Sequence, residues 1–450
     1  MSFDPGTPVG TGMHLTELLY CHEMRFNRRV FSRWLAFTVI LLTFIPRAQG
    51  YSVLSHEEVI DICWNDTLVP ALLKRFPNTT PEELKKAHAY AYGGSVIQDI
   101  GYYPFGSHEF TNLLHYVRTG DFVKALLRDS TNVDEYAFAL GAMAHYVSDS
   151  WGHPAVNDSV PIEYPKLERK FGNWITYEDN PEAHLKTEFS FDVVQVAKGR
   201  YTATQYHNFI GFEIAQDLLQ RAFQETYGIP LSQFLHNEDL SIGTFRFAVS
   251  QIIPEMTKVA LAMRKKQHLE EKHDKARRTF LYHVSRADYE KSFGSDFQRP
   301  GWFARFLAFI FKLIPKFGSL KALQYKDPTP QTEDLYIKSM DRVVQIYRGA
   351  AHDVEAGKPQ LPDRNLDTGN MTAPGKYFLA DHAYSELVLQ LQKQDFAGVT
   401  PALRSNILDF FSQGGSSVDL SAKQWTKTTQ ALQLLKTSTL PPAVVNGNSK

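Results

Sequence analysis

The chain has 450 residues, 43% of them hydrophobic and 22% charged, with a formal net charge of -1 and a pI near 7.0. That length supports a large core and two packed units, and the composition is that of a globular protein. The near-zero charge excludes the broad basic field that marks nucleic-acid binders.

The first fifty residues read as a secretory signal rather than as part of the fold. Arg25, Arg28, Arg29 and Arg33 form a basic stretch, and the apolar run from Trp34 to Ile45 is too short to span a bilayer as a helix. Ala48-Gln49-Gly50 offers small residues to a signal peptidase, with cleavage expected before Tyr51. The segment before Met24 lacks signal character, which puts the expected true start at Met24. The competing reading, an uncleaved anchor, is disfavoured by the short run and by Pro46. Cleavage removes five Arg and three acids, leaving 43 Lys+Arg against 46 Asp+Glu, a balance of about -3. Cys21 is also lost, so Cys63 stands alone and no internal disulfide is expected.

Helix signals dominate from residue 51 to 265. Ser55-His56-Glu57-Glu58 and Thr80-Pro81-Glu82-Glu83 both read as capping boxes. The second opens a helix expected to run through Gln98, with Gly93-Gly94 marking close packing inside it. Asp99 to Pro104 reads as a loop. Asn132 caps a helix that Gly152 and Pro154 are expected to stop, and Asn180-Pro181 opens the next. No strand alternation appears, so 51–265 reads as an all-α domain. Residues 266–440 read as a helical extension: a charged helix around 264–278, a boundary at 293–301, and helices at 331–350 and 376–395. Residues 302–324 mix Trp302, Phe303, Phe306 and Phe309 with Arg305, Lys312 and Lys316. This pattern suits a helix resting on a lipid surface or, more commonly, a core or inter-domain helix. The tail 441–450 is small and polar and is expected to be disordered.

The chemistry concentrates in His145, Asp149 and His153, spaced four residues apart, and in His184 and Glu188 at the same spacing. On a helix such residues share a face, and imidazole with carboxylate suits a zinc-type cation. Two such pairs point to more than one metal. Further donors stand at helix and loop ends: Asp99, His115 in Leu-Leu-His-Tyr, and His56. His108 is the alternative to His115. His88 reads either as a partner behind a ligand or as an ordinary buried histidine. Tyr102, Tyr103, Phe105 and Trp151 are candidates for a substrate wall, though each is more often plain core.

The order His56, Asp99, His115, His145-x3-Asp149, His153, His184-x3-Glu188 resembles the zinc-dependent phospholipase C and single-strand nuclease superfamily, as do His145-Tyr146-x-x-Asp149 and His153-Pro154-x-x-Asn157. The resemblance covers roughly 51–265. It implies an all-α, multi-helix bundle holding three zinc ions. Asp99, His115, His145 and Asp149 would hold one zinc, and His153, His184 and Glu188 a second, more exposed one. Asp149 would bridge to a third, completed by His56 and by the amine and carbonyl of Tyr51, where the family has Trp. Signal cleavage would then be a condition for the third site. The four-residue step from Asp149 to His153 is shorter than in the bacterial phospholipases. It resembles the glycosylphosphatidylinositol-specific phospholipase D branch.

The resemblance thus implies a zinc-dependent phosphoric diester hydrolase of phospholipase C type, acting on phospholipid or another phosphodiester, and the signal segment implies that it is exported, secreted or periplasmic. Two close zinc ions lower the pKa of a bridging water from about 15.7 towards about 7, so zinc-bound hydroxide is expected to attack phosphorus. Asp99 is the implied catalytic residue, orienting or deprotonating the nucleophile. Two other readings stay open. One is a nuclease or nucleotidase on the same zinc core, against which the near-neutral charge argues mildly. The other is a non-catalytic, zinc-stabilised lipid-binding protein.

Overall fold

The structure, a computed structural model, describes residues 53–103, 105–197, 212–249, 325–414 and 418–438, all within one compact unit. Several expectations lie outside the described residues: the signal at 1–50, the Tyr51 ligand, the charged helix at 264–278, the boundary at 293–301, the 302–324 segment and the 441–450 tail. Every regular element among the described residues is helical, with one isolated bridge between Arg364 and Met371. The fold is all-α. No helix of the described residues is long and apolar enough to cross a membrane.

Helix α1 (Val53–Cys63) passes through a π-helical turn (Trp64–Leu68) into α2 (Val69–Arg75). Then come α3 (Pro81–Ser95), a 3-10 turn (Ile97–Tyr102), α4 (His108–Tyr116), α5 (Thr119–Asp129) and α6 (Val133–Glu163). The short α7 (Pro165–Phe171) precedes α8 (Pro181–Ala197), α9 (Gln216–Tyr227) and α10 (Glu238–Phe247). After 325 come α11 (Pro330–Glu355), α12 (Phe378–Lys393), α13 (Pro401–Gly414) and α14 (Ala422–Thr437).

Helix α6 is the axle. It is buried on nearly every side from Tyr136 to Ser150, as expected of a helix apolar all round. It packs against α3 on one flank and α11 on another, with α1, α5 and α8 around it. The α3 crossing is close because glycines meet backbone. A Cβ on Gly94 would stand 2.0 Å from the Phe138 carbonyl oxygen, and one on Gly141 would stand 2.1 Å from that of Ala91. The Gly93-Gly94 pair therefore marks close packing, as its sequence context suggested.

Three local expectations are corrected. Gly152 and Pro154 do not stop α6, which continues through Pro154 and Pro161 to Glu163. A mid-helix proline strands the carbonyl four residues back, and both stranded carbonyls find company. The Asn157 oxygen, left by Pro161, accepts from the Ile175 N–H at 3.2 Å. The Ser150 oxygen, left by Pro154, receives Gly369 so closely that a Cβ there would lie 2.2 Å away. Next, α3 ends at Ser95 rather than Gln98, because the backbone tightens: the Asp99 N–H donates to Val96 at 3.1 Å. Finally, Ser55 is not a helix cap. It lies inside α1, and its hydroxyl donates to Asp192 of α8 at 2.8 Å. The caps at Thr80, Asn132 and Asn180 form as read, with accepted N–H groups from Glu83, Glu135 and Ala183.

Candidate metal centre

Five elements bring eight side chains to one buried place. Helix α1 supplies His56, the 3-10 turn supplies Asp99 and α4 supplies His115. Helix α6 supplies His145, Asp149 and His153, and α8 supplies His184 and Glu188. All eight are buried. Their donor atoms form three groups, each within 4.8 Å internally: His56, His145 and Asp149; Asp99, His115 and His145; His153, His184 and Glu188.

Asp149 is the junction. Its Oδ1 lies 3.3 Å from His56 Nε2 and 3.6 Å from His153 Nε2. Its Oδ2 lies 3.0 Å from His145 Nε2 and 3.4 Å from His115 Nε2. His115 Nε2 is also 3.3 Å from Asp99 Oδ1. In the third group, Glu188 Oε1 lies 2.8 Å from His184 Nε2 and 3.4 Å from His153 Nε2. His145 belongs to two groups and stacks on His56, their ring centroids 4.4 Å apart.

The opposite edges of three rings are fixed. His115 Nδ1 donates to the Thr111 carbonyl at 2.9 Å, and His145 Nδ1 donates to the Ser95 carbonyl at 2.9 Å. His153 Nδ1 donates to the Leu366 carbonyl at 3.0 Å. A carbonyl only accepts, so Nδ1 must carry the hydrogen. In the neutral ring Nε2 then holds a lone pair, aimed at a carboxylate oxygen that also only accepts. The early end of α3 has a function here: tightening the chain releases the Ser95 oxygen for His145.

Two acceptors facing each other at 3.0–3.4 Å in a buried cluster repel unless a cation lies between them. The Nε2 atoms of His115, His145 and His184, both oxygens of Asp149, Oδ1 of Asp99 and Oε1 of Glu188 are buried without a hydrogen-bond partner. Leaving so many unsatisfied costs far more than a fold can spare. A proton or a metal resolves the conflict. Without metal, burial acts to lower His115, but the Asp149 and Asp99 carboxylates hold it well above the usual imidazole range. His145 is likewise raised, with Asp149 the main charge opposing burial. Burial works against ionising Asp149, yet the surrounding histidines keep its pKa well below normal. Burial pushes His56 down and His184 far down, and pushes Glu188 well up. Neutral imidazoles, oriented by carbonyls and interleaved with carboxylates, fit zinc.

The remaining candidates lie elsewhere. His108 is exposed at the start of α4, its ring against Tyr102. His88 is buried away from the cluster, 3.0 Å from Asp61 and stacked on Trp64. Tyr102 and Tyr103 are buried, the Tyr102 ring 6.3 Å from that of His115; Phe105 is 58% exposed, and the guanidinium groups of Arg342 and Arg364 lie 5.2 and 5.5 Å from the Trp151 ring.

Two carboxylates behind the site were not singled out from sequence. Asp192 extends the α8 ladder by another four residues. It accepts from the Leu54 N–H at 3.1 Å and from Ser55, fixing the first turn of α1 and with it His56. The i+4 continuation from Glu188 was the available signal. Asp367 lies nearly two hundred residues beyond the ladder, and no local pattern marked it.

Residues 56–234 match the family model of zinc dependent phospholipase C. No curated protein and no solved structure matches the chain.

Proposed function

We propose, from the premise that residues 56–234 carry a domain of the zinc dependent phospholipase C family, that this protein is an exported phosphodiesterase. It would bind three zinc ions and hydrolyse phospholipids in a phospholipase C-type reaction. The carrying observation is the set of buried Nε2 lone pairs facing carboxylate oxygens around Asp149. Zinc bound there would supply Lewis acidity at a phosphoryl oxygen and a lowered pKa for a water.

The chain's own residues do the rest. Asp99, on the short turn between α3 and α4, is held 3.3 Å from His115 with its Oδ1 lacking a hydrogen-bond partner. It is the group proposed to orient a nucleophilic water and take its proton. Asp149 spaces the histidines of the inner groups. His153, His184 and Glu188 form the third group, on the side of α6 that meets α8. Tyr102 and Tyr116, buried with their rings 6.3 and 6.0 Å from that of His115, would limit bulk water on that side and strengthen charge stabilisation of a pentacoordinate phosphorus.

The zinc set of His56 and Asp149 would depend on export in this reading, since a cleavage before Tyr51 would free a backbone amine five residues before His56. The test compares three substrates under one set of conditions: a chromogenic phosphocholine diester, phosphatidylinositol and single-stranded DNA. Hydrolysis of a lipid-type diester by wild-type protein, lost in Asp99→Asn with zinc content unchanged, supports the reading. Cleavage of DNA alone would move the assignment to a nuclease. Zinc binding with turnover of none of the three would favour a zinc-stabilised lipid-binding protein.

A further inference from the structure

The group of His153, His184 and Glu188, the outer one of the resemblance, is not finished by the segment that matches the family. A strap from Leu361 to Tyr377, more than a hundred residues beyond residue 234, lies along α4, α5 and α6.

Its first part is anchored on α5 and α6. The Tyr146 hydroxyl donates to the Pro362 carbonyl at 2.6 Å. Asp363 Oδ1 accepts from the Gly120 and Asp121 N–H groups at 3.0 and 3.1 Å, at the start of α5. Thr119 Oγ1 exchanges hydrogen bonds with the Arg364 N–H and carbonyl, each at 2.9 Å. A Cβ on Gly120 would fall 2.0 Å from the Leu361 oxygen, so the strap rests directly on backbone.

The middle of the strap reaches the ligands. The Leu366 N–H donates to the His115 carbonyl at 3.0 Å, and the Leu366 carbonyl accepts from His153 Nδ1 at 3.0 Å. One residue on, the Asp367 carbonyl accepts from Asn157 Nδ2 at 2.8 Å. His153 and Asn157, one helical turn apart, thus hold two successive strap carbonyls. The Asp367 carboxylate is buried, with Oδ1 3.6 Å from His153 Nδ1. Its Oδ2 accepts from the hydroxyls of Tyr116 at 2.8 Å and Tyr377 at 2.5 Å. Gly369, at φ +70°, then turns the chain against the Ser150 carbonyl stranded by Pro154.

We propose that Leu366 and Asp367 are positioning residues of the outer metal site: the strap fixes His153 with Nδ1 protonated and Nε2 directed at the metal formed with His184 and Glu188. This rests on the zinc reading of the cluster. Asp367 does not ligate, because it stands behind the ring, on the Nδ1 side. Its negative charge beside Nδ1–H makes Nε2 a stronger donor, as carboxylates behind ligating histidines do. Its own position is set by two phenols far apart in sequence, Tyr116 on α4 and Tyr377 entering α12. The C-terminal helices therefore set the affinity of a site whose ligands all lie in 153–188.

The experiment uses the full chain with zinc loaded, titrated against a chromogenic chelator, and repeated with cobalt read by its visible spectrum. Asp367→Asn keeps the shape and the hydrogen bonds from the tyrosines while removing the charge; Asp367→Ala removes both. One metal of the set is expected to bind about 10- to 100-fold more weakly in Asp367→Asn, with the others unchanged. The cobalt band of that site is expected to shift, and the thermal midpoint to stay close to wild type. Wild-type affinity and cobalt spectrum at every site in folded Asp367→Asn would overturn the proposal. If Asp367→Ala fails to fold, Asp367→Asn alone decides. Wild-type protein that binds no metal at all would instead overturn the zinc reading on which the proposal stands.

Discussion

Asp149 Oδ2 stands 3.0 Å from His145 Nε2, while the far nitrogen of the same ring donates to the Ser95 carbonyl. That relation fixes the tautomer and leaves two buried acceptors face to face. Asp149 repeats the arrangement with His115 and approaches His56 and His153 on its other oxygen. Replacing it with Asn keeps the volume but swaps a charged junction for an amide whose N–H₂ cannot ligate. Asp149→Asn is expected to lose zinc from more than one group and to lower phosphodiester turnover by at least about a hundredfold. Elemental analysis beside kinetics on the same preparation checks this. A variant with full zinc content would remove Asp149 from the junction.

Asp192 acts on the site through α1. Asp192→Ala takes the buried carboxylate from the Leu54 N–H and leaves the Ser55 hydroxyl only its bond with Tyr336, which costs about 1–3 kcal/mol. Thermal or urea unfolding should show that loss. The zinc group containing His56 should weaken more than the group of His153, His184 and Glu188.

Gly94→Ala tests the α3–α6 crossing. Alanine gains up to about 1 kcal/mol of helix propensity over glycine. The new methyl would nevertheless stand 2.0 Å from the Phe138 carbonyl oxygen, and backbone on two packed helices yields little. Net destabilisation of about 1–3 kcal/mol is expected, read as a lower denaturation midpoint. A stabilised Gly94→Ala would contradict the close approach.

Glu163, at the end of α6, gives a pH signature outside the metal cluster. Burial pushes its carboxyl up to about 7, against hydrogen bonds from Thr332 and Thr187. A raised acid pKa means the folded chain binds a proton that the unfolded chain releases. Between about pH 4.5 and 7 stability therefore falls as pH rises, and the full penalty is present above 7. Glu163→Gln is expected to match wild type near pH 4.5 and to exceed it above pH 7, by at most about 3 kcal/mol. Thermal midpoints of the two proteins at pH 5 and pH 8 measure the difference directly. A constant offset would remove burial of the charge as the cause.

The all-α class, the caps at Thr80, Asn132 and Asn180, and the two i+4 pairs were legible because they are local: spacing and cap chemistry act within one or two turns. His56, Asp99 and His115 carry no such spacing, and only the resemblance joined them to the ladder before the fold did. The reading of Pro154 as a helix stop failed because tertiary contacts compensate the proline. Packing around α6 outweighs a lost hydrogen bond, and Gly369 approaches the stranded Ser150 carbonyl from far along the chain. The same distance hid Asp367. Nothing in the sequence around 361–377 announces that its carbonyls orient His153 and Asn157.

A buried polynuclear zinc centre is read out by metal content. Chain beginning at Tyr51, purified without chelator, is analysed for zinc by elemental emission, stripped, and refilled while hydrolysis of the phosphocholine diester is followed. About three zinc per chain are expected from the three ligand groups, with activity lost on stripping and restored on refilling. Folded protein that holds no zinc and takes none up, with all eight side chains intact, would rule out a zinc centre here.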